Sequence, residues 1–215
     1  MDQHDTPEKS YNLERLIFFT DGVFAIVITL LAIELTPPEG WNRTFSGLWS
    51  TEWRKITAYA ISFFAVGMFW NAHRLMFGRI VRFHSGLVFF NLLLLGLVVL
   101  LPFTASLIFE TGPTGEPFLI YLGLIAAIAA AQALTWGFAA FVARVVDPGL
   151  DRRAALAILL SQLAVPVLIT LAALQVGRGG GPAGMLLAVP FLALLGFWRR
   201  RALRPARVKV DADGA

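Results

Sequence analysis

The recurrence of long apolar runs constrains this chain more than any other feature. Runs of about 18–25 residues follow one another along the sequence, where a buried helix of a soluble protein shows roughly 10–14, and each is long enough to cross the hydrocarbon layer of a bilayer. Composition points the same way: 57% of the 215 residues are hydrophobic and 15% are charged, and the mean hydropathy is +0.70. These values describe an integral membrane protein with one membrane domain. Cysteine is absent, which excludes disulfides, thiolate metal sites and thiol catalysis.

The expected fold class is all-α, a polytopic membrane protein with six spanning helices near residues 15–36, 54–77, 85–110, 117–144, 151–176 and 182–200. Turn-forming segments separate them: TPPEGW, RIVRFHSG, ETGPTGEP, VDPGLDRR and GRGGGP. The first run is too long for the apolar region of a signal peptide and lacks a small-residue cleavage pattern, so it is read as a mature helix. The chain then divides into a segment 1–14, a membrane domain 15–200 and a basic tail 201–215.

Lysine and arginine set the orientation, because cytoplasmic loops retain positive charge. Lys9, Arg15, Arg74, Arg79, Arg82, Arg144, Arg152, Arg153 and the bases of the tail RRRALRPARVK fall on one side. Only Arg43, Arg54, Lys55 and Arg178 fall on the other. Both termini are therefore expected in the cytoplasm of a cell whose inner membrane holds the protein. The basic tail sits just beyond a span, where it serves as a topology anchor or touches anionic lipid; nucleic acid is not an expected partner.

The first run carries a carboxylate, Asp21, a turn and a half into RLIFFTDGVFAIVITLLAIEL. An ionised group costs at least ~2.5–3.5 kcal/mol at the centre of a membrane helix, so Asp21 should face protein or water. Counting inward from the cytoplasmic side at about 1.5 Å per residue, Thr20 and Asp21 reach the depth of Trp70, Asn71, His73 and Arg74 on the second helix and of Asn91 on the third. These form a candidate polar layer. It reads either as a clamp of interhelical hydrogen bonds or as a site for an ion or proton; His73 likewise reads as a hydrogen-bonding group or a pH sensor. Arg15 lies about 120° around the helix from Asp21, so each needs a partner elsewhere.

Gly22, Ile26, Thr29, Leu30 and Ile33 occupy a stripe about 100° wide on the first helix, with Asp21 pointing away from it. Periodicity alone leaves two readings open, helix packing and pore lining.

The motif Arg15-x-x-x-Phe19-Thr20-Asp21-Gly22, continuing as VFAIVITLLAIEL, resembles the first-helix signature R-x-x-x-F-S-D of the endosomal and lysosomal potassium channel family, transmembrane protein 175, in its prokaryotic six-helix branch. Threonine at position 20 keeps the hydroxyl of the usual serine. WNAHRLMF, with Ala72 where the family often pairs histidines, and NLLLLGLVVLLPF, with Asn91, Pro102 and Phe103, extend the likeness to about residues 15–110. The resemblance implies a potassium-permeable cation channel whose pore is lined by first helices and narrowed by apolar side chains. By position, the constriction falls on Ile26, Leu30 and Ile33, and Thr29 is the polar neighbour tied to potassium preference. No TVGYG-like filter loop is present, in keeping with that implication. No internal repeat supplies a second copy of the motif, so the resemblance implies a homotetramer. Monovalent cations, membrane lipid and further copies of the chain are the expected partners; potassium is the permeant, and no cofactor or bound metal is expected.

A secondary transporter or proton-coupled carrier is the alternative. Such folds show paired broken helices, whereas Pro166 and Pro190 interrupt the second half without counterparts in the first. An enzyme is not expected: there is no G-x-S-x-G and no H-E-x-x-H, and the three histidines are scattered.

Overall fold

The computed structural model describes residues 7–33, 35–111 and 115–178. Within them the chain forms α1 (Pro7–Ile33), α2 (Phe45–Phe77), α3 (Ser85–Val98), α4 (Leu101–Thr111), α5 (Gly115–Gly137) and α6 (Arg152–Gly177), with a π-helical turn at Phe138–Val142. The expected helix at 182–200 and the tail 201–215 lie outside the described residues. Among the described residues, four segments are long and apolar enough to span a membrane: Tyr11–Ile33, Ser85–Phe109, Gly115–Val142 and Arg152–Gly177. Hydrocarbon offers the backbone no hydrogen-bond partner, so each segment satisfies its own amides as helix.

Three boundaries differ from the sequence expectation. α1 begins at Pro7, inside the segment read as preceding the membrane domain. α2 begins at Phe45 because Thr44 caps it, its hydroxyl accepting from the Gly47 amide at 3.1 Å. Its 33 residues give a rod of about 50 Å, longer than a hydrocarbon core of about 30 Å. The third span is two helices. Pro102 has no N–H to offer the Val98 carbonyl and its ring crowds that oxygen, so the chain tightens at Leu100, whose amide bonds three residues back to Leu97 at 3.1 Å. Pro166, expected as an interruption, lies inside α6, which continues through it.

α5 is the central helix, packed against α3, α4 and α6. Its run of small residues permits close approach, and Ala126, Ala129, Ala131 and Ala133 are buried along it. Trp136 ties it to α6 through an Nε1–H bond to the Ala155 carbonyl at 3.0 Å. α1 packs on α2, α3 and α4 at the edge of the bundle. At one end the α2–α3 and α5–α6 loops are joined by backbone bonds, Val81 N–H to Val145 O at 2.9 Å and Asp147 N–H to Arg79 O at 2.9 Å. Gly86 sits against Phe138, whose ring a Cβ there would strike.

The buried apolar residues fall into two clusters. One includes Leu16, Met76, Phe77, Leu87 and Trp136 at the clasped end. The other includes Phe24, Val27, Leu31, Val66 and Leu94. On α1, α2 and α3 alike, the buried residues between the two clusters are polar.

Candidate functional site

Those intervening residues are Thr20, His73 and Asn91, each almost wholly buried. His73 Nε2 lies 2.9 Å from Asn91 Oδ1, Asn91 Nδ2 donates to Thr20 Oγ1 at 2.8 Å, and Thr20 Oγ1 donates to the Leu16 carbonyl at 2.8 Å. The direction of every bond follows from the last one. A carbonyl can only accept, so the Thr20 hydroxyl gives its proton to Leu16 and must accept from the Asn91 amide. That fixes the orientation of the Asn91 side chain and places a proton on His73 Nε2. The His73 ring is further held by stacking on Phe77 at 4.1 Å.

The remaining polar residues do not join this chain of bonds. Asp21 is half-buried at the rim and accepts from Trp70 Nε1 at 2.8 Å. Asn71 is exposed and accepts from Arg74 Nη2 at 3.0 Å; Arg74 also lies over the Trp70 ring at 5.7 Å. Arg15 is exposed and sits 5.6 Å above the Tyr11 ring, and Phe19 is exposed as well. The layer expected at one depth is thus a buried triad on three helices and a separate rim pair.

The fourth contribution comes from α5. Gln132 Nε2 donates to the Phe69 carbonyl at 3.2 Å, and buried Thr135 donates to its own helix at Ala131, 2.8 Å. Sequence reading passed over both residues, although a lone glutamine in the run AIAAAQALTW is a usable signal for a buried polar contact.

The stripe on α1 lies on the opposite side from this packing. Ile26 is 59% exposed and Ile33 68%; Gly22, Thr29 and Leu30 are exposed too. Adjacent Val27 is 0% exposed. A Cβ built on Gly22 meets nothing within 4 Å, so nothing among the described residues requires glycine there. Thr29 Oγ1 donates to the Ile26 carbonyl at 2.8 Å, which leaves the oxygen of this exposed residue its capacity to accept.

The sequence profile of the family described as endosomal/lysosomal potassium channel TMEM175 matches residues 15–102. A potassium channel of Streptomyces collinus is 30% identical over 148 residues, 66% of this chain and 71% of the relative. A potassium channel of Chamaesiphon minutus is 32% identical over 154 residues, 69% of this chain and 75% of the relative. The chain belongs to the TMEM175 family. The crystal structure of a lysosomal potassium-selective channel TMEM175 homolog from Chamaesiphon minutus superimposes with a TM-score of 0.68 at 27% identity, covering 90% of this chain and all of that one. The family match runs from α1 to the start of α4. It therefore contains the Thr20–Asn91–His73 triad and the exposed stripe, while Gln132 and Thr135 lie beyond it. This TMEM175 family member is a multi-pass membrane protein.

Proposed function

We propose that this family member is a potassium-permeable cation channel of the cell membrane, a homotetramer whose α1 helices line a central pore, with both termini on the cytoplasmic side. The observation that carries the reading is the exposed stripe on α1: an uncharged apolar face, turned away from its own bundle, on the helix that bears the family motif. Four copies around an axis would bring Ile26, Leu30 and Ile33 into successive rings. Branched alkyl groups at such a ring exclude water and oblige an ion to shed part of its hydration shell. Thr29 supplies the polar oxygen at that level, its proton already committed to Ile26 O. Selectivity from one hydroxyl layer without a carbonyl filter is modest.

The polar layer acts as a clamp in this reading. Its hydrogen bonds run one way and end on a backbone carbonyl, Leu16 O, which has no proton to pass on. That supports a structural role for Thr20, His73 and Asn91 over a proton path.

Reconstitution of the purified protein in planar bilayers under opposed potassium and sodium gradients tests the class. Unitary current steps with a reversal potential on the potassium side are expected. Saturable, counter-ion-dependent flux with no unitary steps would replace the channel with a carrier.

A further inference from the structure

We propose that the crevice beside the clasped loops binds the phosphate headgroup of an anionic phospholipid. The crevice has a volume of about 530 Å³, and three arginines from three segments line it: Arg82 of the α2–α3 loop, Arg144 just beyond the π-helical turn, and Arg152 at the start of α6. One carboxylate, Asp147, faces them. Among the described residues the only ion pair is Lys55 with Glu52, so none of these guanidinium groups is neutralised by an acid.

The backbone is arranged to keep the arginines together. Arg144 has φ +52°, in the left-handed region that side-chain-bearing residues adopt at a cost and that recurs at ligand sites. Arg82 Nη2 donates to the Arg144 carbonyl at 2.6 Å, using one of five guanidinium donors and leaving the rest for a ligand. Asp151 precedes α6 without making a side-chain cap bond, so the positive end of a 26-residue helix adds to the field beside Arg152. Forked guanidinium donors suit phosphate oxygens.

The position selects a lipid over a soluble phosphate. One apolar span ends at Val142 and the next begins at Arg152, so the crevice opens at the level where headgroups lie. Val142, two residues before Arg144, is 71% exposed, and Leu156, one turn after Arg152 on α6, is exposed as well, so the segments that carry two of the arginines also carry apolar surface for acyl chains. A free anion would have no use for that flank. The proposed topology puts the crevice in the cytoplasmic leaflet; the binding itself does not rest on that topology.

Native mass spectrometry of the full chain in detergent, titrated with phosphatidylglycerol or with phosphatidylcholine of matched acyl chains, tests the proposal. The unaltered protein should retain phosphatidylglycerol preferentially. Arg144→Gln combined with Arg152→Gln should lower that preference by about thirtyfold, the scale expected when two bases near an anionic surface are lost, with the basic tail intact in both proteins. Asp147→Asn keeps an oxygen for the Gly149 amide, which Asp147 Oδ1 now accepts at 2.8 Å, and removes the opposing charge, so the preference should rise. Misfolding cannot mimic that gain, and it decides the matter if the double variant fails to fold. Equal retention of the two lipids, or a preference untouched by all three substitutions, overturns the site. Displacement by glycerol 1-phosphate or a short phosphopeptide at equal concentration overturns the lipid as its ligand. No current is measured, so failure of the channel reading would leave this result standing.

Discussion

The two faces of α1 have nearly the same hydropathy and opposite surroundings. Leu16, Thr20, Phe24, Val27 and Leu31 are buried against the bundle; Gly22, Ile26, Thr29, Leu30 and Ile33 are exposed. Each face carries one threonine, and the two hydroxyls show the difference most clearly. Both donate to their own helix, Thr20 to Leu16 O and Thr29 to Ile26 O at 2.8 Å each. Only Thr20 also accepts from another helix, through Asn91. In a membrane protein, then, apolarity does not tell an inside from an outside, because lipid and protein interior are alike to a leucine; polar complementarity across helices does.

Substitutions on either side of this boundary should separate the faces. The largest effect is expected from Val27→Asn, which forces an amide into a site with no exposure and should cost about 3 kcal/mol through lost packing and an unpaired polar group. The measurement is thermal stability by size-exclusion chromatography of the purified protein. A normal elution profile after heating would show that the buried face tolerates what it should reject.

Asn91→Leu comes next. It removes two interhelical bonds and strands the His73 N–H, and about 2 kcal/mol of lost stability is expected, since each such bond in a membrane is worth roughly 0.6–2 kcal/mol. Thr20→Val in the same assay should be milder, and combining it with Asn91→Leu should cost less than the sum, because the two share one bond. Strict additivity would count against a connected triad.

Ile26→Asn sits one residue from Val27 and should change stability by less than about 0.5 kcal/mol. Its effect belongs to conduction. An amide ring in place of branched alkyl groups lowers the dehydration barrier, so unitary current should rise and potassium preference fall. Unchanged conductance in an Ile26→Asn protein that assembles normally would remove α1 from the pore. A modest effect, on stability alone, is expected from Asp21→Asn, whose oxygen can still accept from Trp70 Nε1; stability should move by less than about 1 kcal/mol in the heating assay. A collapse comparable to that of Val27→Asn would return the weight of the layer from Asn91 to Asp21.

Much of the polar layer was legible beforehand. Thr20, His73 and Asn91 fall at one depth when residues are counted inward from the end that carries the arginines, because helical rise is constant. Counting by depth does not give azimuth, however. It therefore grouped Asn71 with the layer although that side chain points outward to Arg74, and it could not separate the rim pair Asp21–Trp70 from the buried triad. Gln132 escaped notice because α5 had no charged residue to draw attention to that depth. The break before Pro102 was hidden by leucines and valines on both sides, which keep the run apolar whatever the backbone does.

The sequence by itself determined that this chain is helical, crosses a membrane several times and carries the motif of its family, since hydrocarbon admits long helices and little else and the motif is a matter of residue identity. Tertiary structure decided which residues of that motif meet. The bonds from Trp70 to Asp21 and from Asn91 to Thr20 join positions 49 and 71 residues apart, and their formation depends on how helices turn about their axes as side chains pack. Hydrophobic periodicity cannot fix that rotation where both faces of a helix are apolar, so only the packed bundle could show Val27 inside and Ile26 out.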